Sequence, residues 1–166
     1  MRVISRPLVE RSAHRPIVPK DSFKERIGMK KIPTVVLVVA VALLDDAGQV
    51  LMQRRRRGAE HGGLWEFPGG KVEVDETLGE SLCREICEEL GIALNPAVLE
   101  PLTFATSPDQ PHVILLYTCR DWTGEPACLD GEEIAWFAPE AVLSLDMPPL
   151  DVPLAQALLA REKRSN

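Results

Sequence analysis

The sequence predicts an α/β fold, in which a mixed β-sheet packs with two main helices. Three observations carry that reading. The β-prone apolar runs are short, the longest being Val35 to Leu44. The segment Thr77 to Leu90 places Leu78, Leu82, Ile86 and Leu90 at a spacing of four, the mark of a helix with one buried face. A second helical stretch, Asp151 to Lys163, closes the chain after the last strand-like run, so helices and strands are interspersed.

The elements follow in order. Residues 1–31 alternate Arg, Pro, Ser and Lys without a hydrophobic period, which predicts a flexible basic extension ahead of an ordered domain over 32–166. Met29-Lys30-Lys31 reads as a natural start, with residues 1–28 dispensable. From Pro33 a β-rich run reaches Leu44, Asp45-Asp46-Ala47-Gly48 is a turn, and Gln49 to Gln53 is a second strand, together a predicted hairpin. After the loop Arg54 to Gly63 comes Leu64-Trp65-Glu66-Phe67. Pro68-Gly69-Gly70 is a glycine turn, and the alternation of Lys71 to Val74 predicts a strand. Gly91 sits where a left-handed C-cap ends the Thr77 to Leu90 helix. Val98 to Thr103, His112 to Cys119 and Ile134 to Phe137 read as strands.

Composition bounds the function classes. A chain of 166 residues has the length of one domain, which buries roughly 70% of its unfolded surface. Residues 1–31 hold nine Lys/Arg and three Asp/Glu, leaving ten against twenty-two, a net of −12, for residues 32–166. So acidic a body repels a nucleic-acid backbone, which excludes a polymer binder and requires metal cations or local arginines for any phosphorylated partner. Cys83, Cys87, Cys119 and Cys128 lack the paired spacing of a zinc site and read as reduced packing residues of a cytoplasmic protein. The run Val35 to Leu44 is about half the length a membrane-spanning helix needs. A monomer is expected.

The helix carries a group of carboxylates. Setting Glu85 at 0° and advancing roughly 100° per residue puts Glu89 at about 40° and Glu88 at about 300°, with the apolar stripe between about 20° and about 140°. The acids therefore flank the core-facing edge, where a sheltered ion site could be built. Like charges at Glu85 and Glu89 weaken a helix by a few tenths of a kcal/mol, a penalty that a hard cation would remove. Mg²⁺ takes oxygen ligands and keeps sites open for substrate phosphates, which suits such a cluster. On spacing alone, a solvated acidic face with Arg84 paired to Glu88 stays open as the alternative.

The surrounding pattern is more specific. Gly70, five residues, Glu76, seven residues, then Arg84-Glu85-Ile86-Cys87-Glu88-Glu89-Leu90-Gly91-Ile92 resembles the Nudix box at each defined position. The resemblance implies the Nudix fold, an α/β/α sandwich with a mixed sheet, in which a loop-helix-loop binds Mg²⁺ or Mn²⁺. Carried over by residue, it implies Glu85, Glu88 and Glu89 as metal carboxylates with the Gly69 carbonyl completing the set. It implies Arg84 as the residue that orients them, and Glu76 as a brace between loop and helix. Glu85 is the implied aid to deprotonation of the attacking water.

Similarity to the MutT branch, the diphosphatases that sanitise nucleotide pools, extends from about Pro33 to Leu159. It is carried by Arg54-Arg55, Leu64-Trp65-Glu66-Phe67-Pro68-Gly69-Gly70-Lys71, Gly124-Glu125-Pro126 and Pro148-Pro149. It implies a substrate-binding set of Arg55, Glu66, Phe67, Pro68, Gly69 and Asp151, with Arg55 on phosphate and Phe67 lining the base pocket. Asp130 stands in for the branch's acidic loop residue and is expected to assist metal or water. Two departures matter for substrate. Asp151 stands where guanine-reading members have Asn, and the branch's loop His falls at Glu60, with His61 one place later. Ionised, Asp151 accepts from guanine N1 and N2, and protonated it donates, so it permits purines without dictating them. The expected activity is hydrolysis of a (deoxy)nucleoside triphosphate to monophosphate and pyrophosphate, with 8-oxo-dGTP the preferred small-molecule partner. A CTP or modified-dCTP pyrophosphohydrolase and a non-catalytic nucleotide-binding module remain as rival readings.

Overall fold

In the computed structural model, which describes residues 35–165, the strands form a four-stranded, a three-stranded and a two-stranded sheet. The expected extension over 1–31 and the start of the domain at residue 32 lie outside the described residues. Strand β1 (Val36–Leu43) lies at the centre of a four-stranded sheet, parallel to β7 (Gln110–Cys119) from Val36 opposite His112 to Leu43 opposite Cys119. On its other side β4 (Gly69–Lys71) runs antiparallel, and β6 (Glu100–Ser107) closes the far edge, giving the order β4-β1-β7-β6. This is the mixed sheet that the sequence predicts.

The predicted hairpin is corrected. The turn forms, with the Gly48 amide donating to the Asp45 carbonyl at 2.9 Å and the Gln49 amide to Asp45 Oδ1 at 2.7 Å. Only Leu44 and Val50 bridge across it. Strand β2 (Val50–Arg54) then pairs with β3 (Trp65–Glu66) and β9 (Glu133–Phe137) in a second sheet, order β3-β2-β9. Both faces of each strand are apolar, so alternation could not say which strand is whose neighbour. The predicted strand Lys71 to Val74 is also displaced: the ladder runs through the glycines themselves, because Gly69 and Gly70 pair with Ala40 and Val39.

Alternate residues of β1 point to opposite layers. Ala40 and Ala42 face helix α3 (Asp151–Ser165), packing with Leu154, Ala155, Leu158, Phe67 and Met52. Val39, Val41 and Leu43 face helix α1 (Leu78–Leu90), packing with Leu82, Ile86, Leu90 and Leu51. The result is the α/β/α sandwich. Helix α1 begins on a reciprocal cap, in which Thr77 Oγ1 accepts from the Glu80 amide and Glu80 Oε2 accepts from the Thr77 amide at 2.9 Å. It ends on Gly91 at φ 68°, where glycine tolerates the left-handed conformation.

Shorter elements escaped the sequence reading. These are β5 (Ala93–Leu94), which pairs with β8 (Trp122–Thr123), and helix α2 (Pro139–Val142). A single 3-10 turn at Pro96–Val98, capped by Asn95, delays β6 to Glu100. All four cysteines are free, but Cys87 is exposed because it lies past Ile86, off the apolar stripe, and is no packing residue. Among the described residues no helix is long and apolar enough to cross a membrane.

Candidate active site

The acidic half of the site is organised by one arginine. Arg84 projects from α1 and gives Nε to Glu76 Oε1 at 2.7 Å and Nη2 to Glu76 Oε2 at 3.0 Å. Its Nη1 lies 2.9 Å from Glu85 Oε1 and 3.2 Å from Glu88 Oε2. The Arg84 hydrogen bonds hold Glu76 down at about pKa 2, and Arg84 itself is pushed further above the usual guanidinium range by Glu76 and then Glu85. Glu76 also accepts from the Glu73 amide at 3.1 Å, so it joins the loop after β4 to the helix.

The five residues 66–70 each serve a different partner. Glu66 pairs with Arg55, and the Phe67 amide donates to Asp151 Oδ1 at 3.1 Å. The Pro68 carbonyl accepts from the Val41 amide at 3.0 Å, and the Gly69 amide donates to Glu89 Oε2 at 2.9 Å. Gly70 passes directly beneath Glu85, so close that a Cβ there would stand 2.3 Å from the carboxyl carbon. Gly69, at φ 149°, leaves no room either, since its Cβ would fall 2.1 Å from the Val39 carbonyl oxygen.

These parts open into one cleft of about 540 Å³ whose lining includes Arg55, Glu66, Phe67, Gly69, Gly70, Glu85, Glu89 and Asp151. Burial raises the Glu89 carboxyl to about pKa 8, the neighbouring Glu66 and Glu85 adding to the effect and the Gly69 amide opposing it. Burial likewise raises Asp151 to about 7, against the Phe67 amide, with Glu66 raising it further and Arg55 opposing. Glu66 is also raised by burial, partly offset by Arg55.

Comparison with known proteins fits this geometry. Residues 34–158 match the model of the NUDIX domain. The chain belongs to the Nudix hydrolase family. Within that family it is similar to the CTP pyrophosphohydrolase of Escherichia coli K12, at 32% identity over 75% of this chain and 93% of that protein. It is similar to the 8-oxo-dGTP diphosphatase of Haemophilus influenzae, at 33% identity over 75% of this chain and 92% of that one. Among solved structures, the MutT NUDIX hydrolase of Burkholderia pseudomallei superposes with a TM-score of 0.62, at 32% identity, covering 75% of this chain and 96% of that one. The Nudix box of this MutT-like chain is thus the segment from Gly70 to Ile92.

The site residues expected from sequence divide into two groups. Arg55, Glu66, Phe67, Gly69, Glu85, Glu89 and Asp151 meet in the cleft, with Pro68 buried behind it. Phe67 is 3% exposed and belongs to the core on the α3 side, so it is mainly a packing residue that shows one edge to the cleft. Asp130 is not part of the lining. It pairs with Arg56 at 2.6 Å, because the loop that carries it packs on the end of β2, where the Arg56 guanidinium captures the carboxylate. Glu88 also stays outside, mostly exposed and turned to Arg84.

Sequence reasoning passed over Lys71, Gln110 and His112. They line the cleft from β4 and β7, which only the sheet brings together. His61, one place away from the relatives' loop histidine, lines the cleft from a left-handed backbone at φ 58°.

Nudix hydrolases generally use divalent cations, and the residues present fit one. Among the described residues no three carboxylate, imidazole or thiol groups converge on a point. What the cleft offers beside the glycine backbone at Gly69 and Gly70 is two acids of the helix, Glu85 and Glu89. Glu89 is half-buried and crowded by the Glu66 and Glu85 charges, so a cation placed beside it would favour its ionised form. Oxygen donors with room for water and phosphate match Mg²⁺ or Mn²⁺.

Proposed function

We propose that this Nudix hydrolase converts (deoxy)nucleoside triphosphates to the monophosphate and pyrophosphate, with 8-oxo-dGTP preferred. It thereby clears oxidised nucleotides from the cytoplasmic pool before they miscode in DNA replication. The observation that carries this reading is the shared lining of a single cleft by Glu85, Glu89, Arg55 and Asp151.

Each residue has a task in that reaction. Arg55, oriented by Glu66 and by Nε donation to the Glu60 carbonyl at 2.7 Å, binds phosphate oxygens. Asp151 has one oxygen engaged by the Phe67 amide, leaving the other for the base edge. Glu85 and Glu89, with the Gly69 carbonyl, would hold Mg²⁺ or Mn²⁺, and Glu88 would join the set by releasing Arg84. A bound cation neutralises phosphate charge and activates water. Glu85 accepts the proton of the water that attacks the β-phosphorus, and Arg84 steadies its carboxylate through Oε1. The small acidic cleft suits a metal-nucleotide and not a nucleic-acid polymer, and the protein acts as a monomer.

A second reading, a CTP or modified-dCTP pyrophosphohydrolase, is favoured by one observation: Asp151 titrates near neutrality, and in its protonated form it donates to cytosine N3. Side-by-side turnover of 8-oxo-dGTP, dGTP, CTP, 5-methyl-dCTP and ADP-ribose with Mg²⁺, with products resolved by chromatography, decides between them. Preference for 8-oxo-dGTP with pyrophosphate release is expected. Preference for the pyrimidines moves the protein to the second reading, and no hydrolysis of any of them would leave a binding module.

A further inference from the structure

Three successive residues of β4 meet three residues of α1 that lie four apart. The Gly69 amide donates to Glu89 Oε2 at 2.9 Å, and Gly70 passes beneath the Glu85 carboxylate. The Lys71 carbonyl accepts from Ser81 Oγ at 3.3 Å. Strand and helix therefore run antiparallel here, one strand residue to each helical turn. The first two rungs carry acids of the cleft, and the third carries a neutral hydroxyl.

Ser81 is 0% exposed, on the buried side of α1 with Leu82 and Ile86. An alanine would pack there with no polar atom to satisfy. A serine hydroxyl inside a helix commonly turns back to the carbonyl four residues earlier. Here the Thr77 carbonyl takes the Ser81 amide at 3.0 Å, and the hydroxyl leaves the helix for β4.

The same hydroxyl accepts from Arg84 Nη2 at 3.4 Å. That nitrogen also donates to Glu76 Oε2 at 3.0 Å and to the Lys71 carbonyl at 3.2 Å, so its two protons are shared among three acceptors. The Ser81 proton gives the Lys71 carbonyl a donor of its own, held close to the helix backbone and not at the end of a long side chain.

We propose that Ser81 is a positioning residue for Glu85 and Glu89: by joining the Lys71 carbonyl to the Arg84 guanidinium, it fixes the register of α1 on the glycine strand. Ser81 does not line the cleft, and it acts by keeping Gly69 and Gly70 in place under the two carboxylates. The inference rests on the reading of those carboxylates as metal ligands.

The test uses the full chain with Ser81→Ala, and with Ser81→Cys beside it, which keeps nearly the same shape and a weak donor. Mn²⁺ affinity is measured directly by titration calorimetry or by electron paramagnetic resonance. Tm is measured too, with turnover of the best nucleotide of the five named above as Mg²⁺ is varied. Both variants are expected to fold with a Tm near the parent's, since the Lys71 carbonyl keeps its Arg84 donor and alanine is the better helix former. For Ser81→Ala the Mn²⁺ Kd and the Mg²⁺ concentration for half-maximal rate are expected to rise about fivefold, the worth of one neutral hydrogen bond. At saturating Mg²⁺, kcat should fall with the nucleotide KM unchanged. Ser81→Cys should lie between alanine and the parent.

Unchanged Mn²⁺ affinity in a folded Ser81→Ala overturns the inference, whatever its Tm, as does a rise in nucleotide KM with kcat unchanged. Unfolding of both variants overturns it too, by making the hydroxyl a requirement of the fold. A parent that binds no Mn²⁺ overturns the metal reading and this inference together, whereas a parent and an alanine variant that bind it equally overturn the inference alone.

Discussion

Arg84 and Glu76 are joined by two parallel hydrogen bonds, at 2.7 and 3.0 Å, a fork that leaves Nη1 free to reach Glu85 and Glu88. Lysine cannot reproduce that geometry, because its ammonium is a point donor. Arg84→Lys is expected to lower kcat roughly 10- to 100-fold, the usual range for a residue that orients a ligand. Glu76→Gln should do much the same, and the double variant should be no worse than the poorer single one. Steady-state kinetics on the three variants checks this, and full additivity would contradict it.

Glu85→Gln removes the proposed proton acceptor and one metal oxygen but keeps the shape of the side chain. Pyrophosphate release should fall by roughly 10²- to 10⁴-fold, the range for general-base loss. Nucleotide binding, followed by fluorescence or calorimetry, should survive.

Gly70→Ala separates fold from chemistry. The three atoms nearest an added methyl all belong to the Glu85 carboxylate, the end of a flexible side chain, so the protein should fold with Tm near the parent's while the carboxylate is displaced. A loss on the order of 10²-fold in turnover is expected for a misplacement of this size. A variant that unfolds, or one that stays fully active, would refute this account of the Gly70 position.

Asp151 should make base preference depend on pH. Its carboxyl, raised to about 7 by burial and set among Glu66 and Arg55, accepts hydrogen bonds above that pH and donates below it. Relative kcat/KM for 8-oxo-dGTP over CTP is therefore expected to increase from pH 6 to pH 8 by about tenfold, the worth of one charge-assisted hydrogen bond. Asp151→Asn, which has no titration, should flatten that ratio.

Two raised carboxylates also fix the sign of a stability trend. Glu89 at about 8 and Asp151 at about 7 both lie above their unfolded values of 4.5 and 3.8, so the folded state holds protons that the unfolded chain gives up. Their contribution is complete at low pH and is lost as pH rises through 7 and 8. Without divalent metal, Tm should decline between pH 5 and pH 8. Added Mg²⁺ should restore it more at pH 8 than at pH 6, because only ionised Glu89 ligates. Thermal melts at the two pH values, with and without Mg²⁺, are the measurement.

Helical arithmetic made half of the site legible from sequence. A period of 3.6 residues is enough to place Glu85 and Glu89 beside the stripe of Leu82, Ile86 and Leu90, and to put Arg84 within reach of Glu88. Strand partners were not legible in the same way. Leu44 and Val50 look like the start of a hairpin, yet β1 and β2 part into separate sheets, a choice made by distant partners at Leu116 and Trp136. Two-residue strands such as Ala93–Leu94 are too short to show any period. Asp130 was placed by resemblance to relatives, and the local capture of its carboxylate by Arg56 is invisible to that comparison.

The stretch from Glu66 to Gly70 acts as a gauge of fixed length. Its four peptide links span at most roughly 14 Å when extended, and both ends are anchored, Glu66 on Arg55 and Gly70 under Glu85. One residue more or fewer would put Arg55 and Glu85 out of step, however intact each remained. Side chains along this stretch can therefore be exchanged where there is room for them, while its length stays set by the distance between those two anchors.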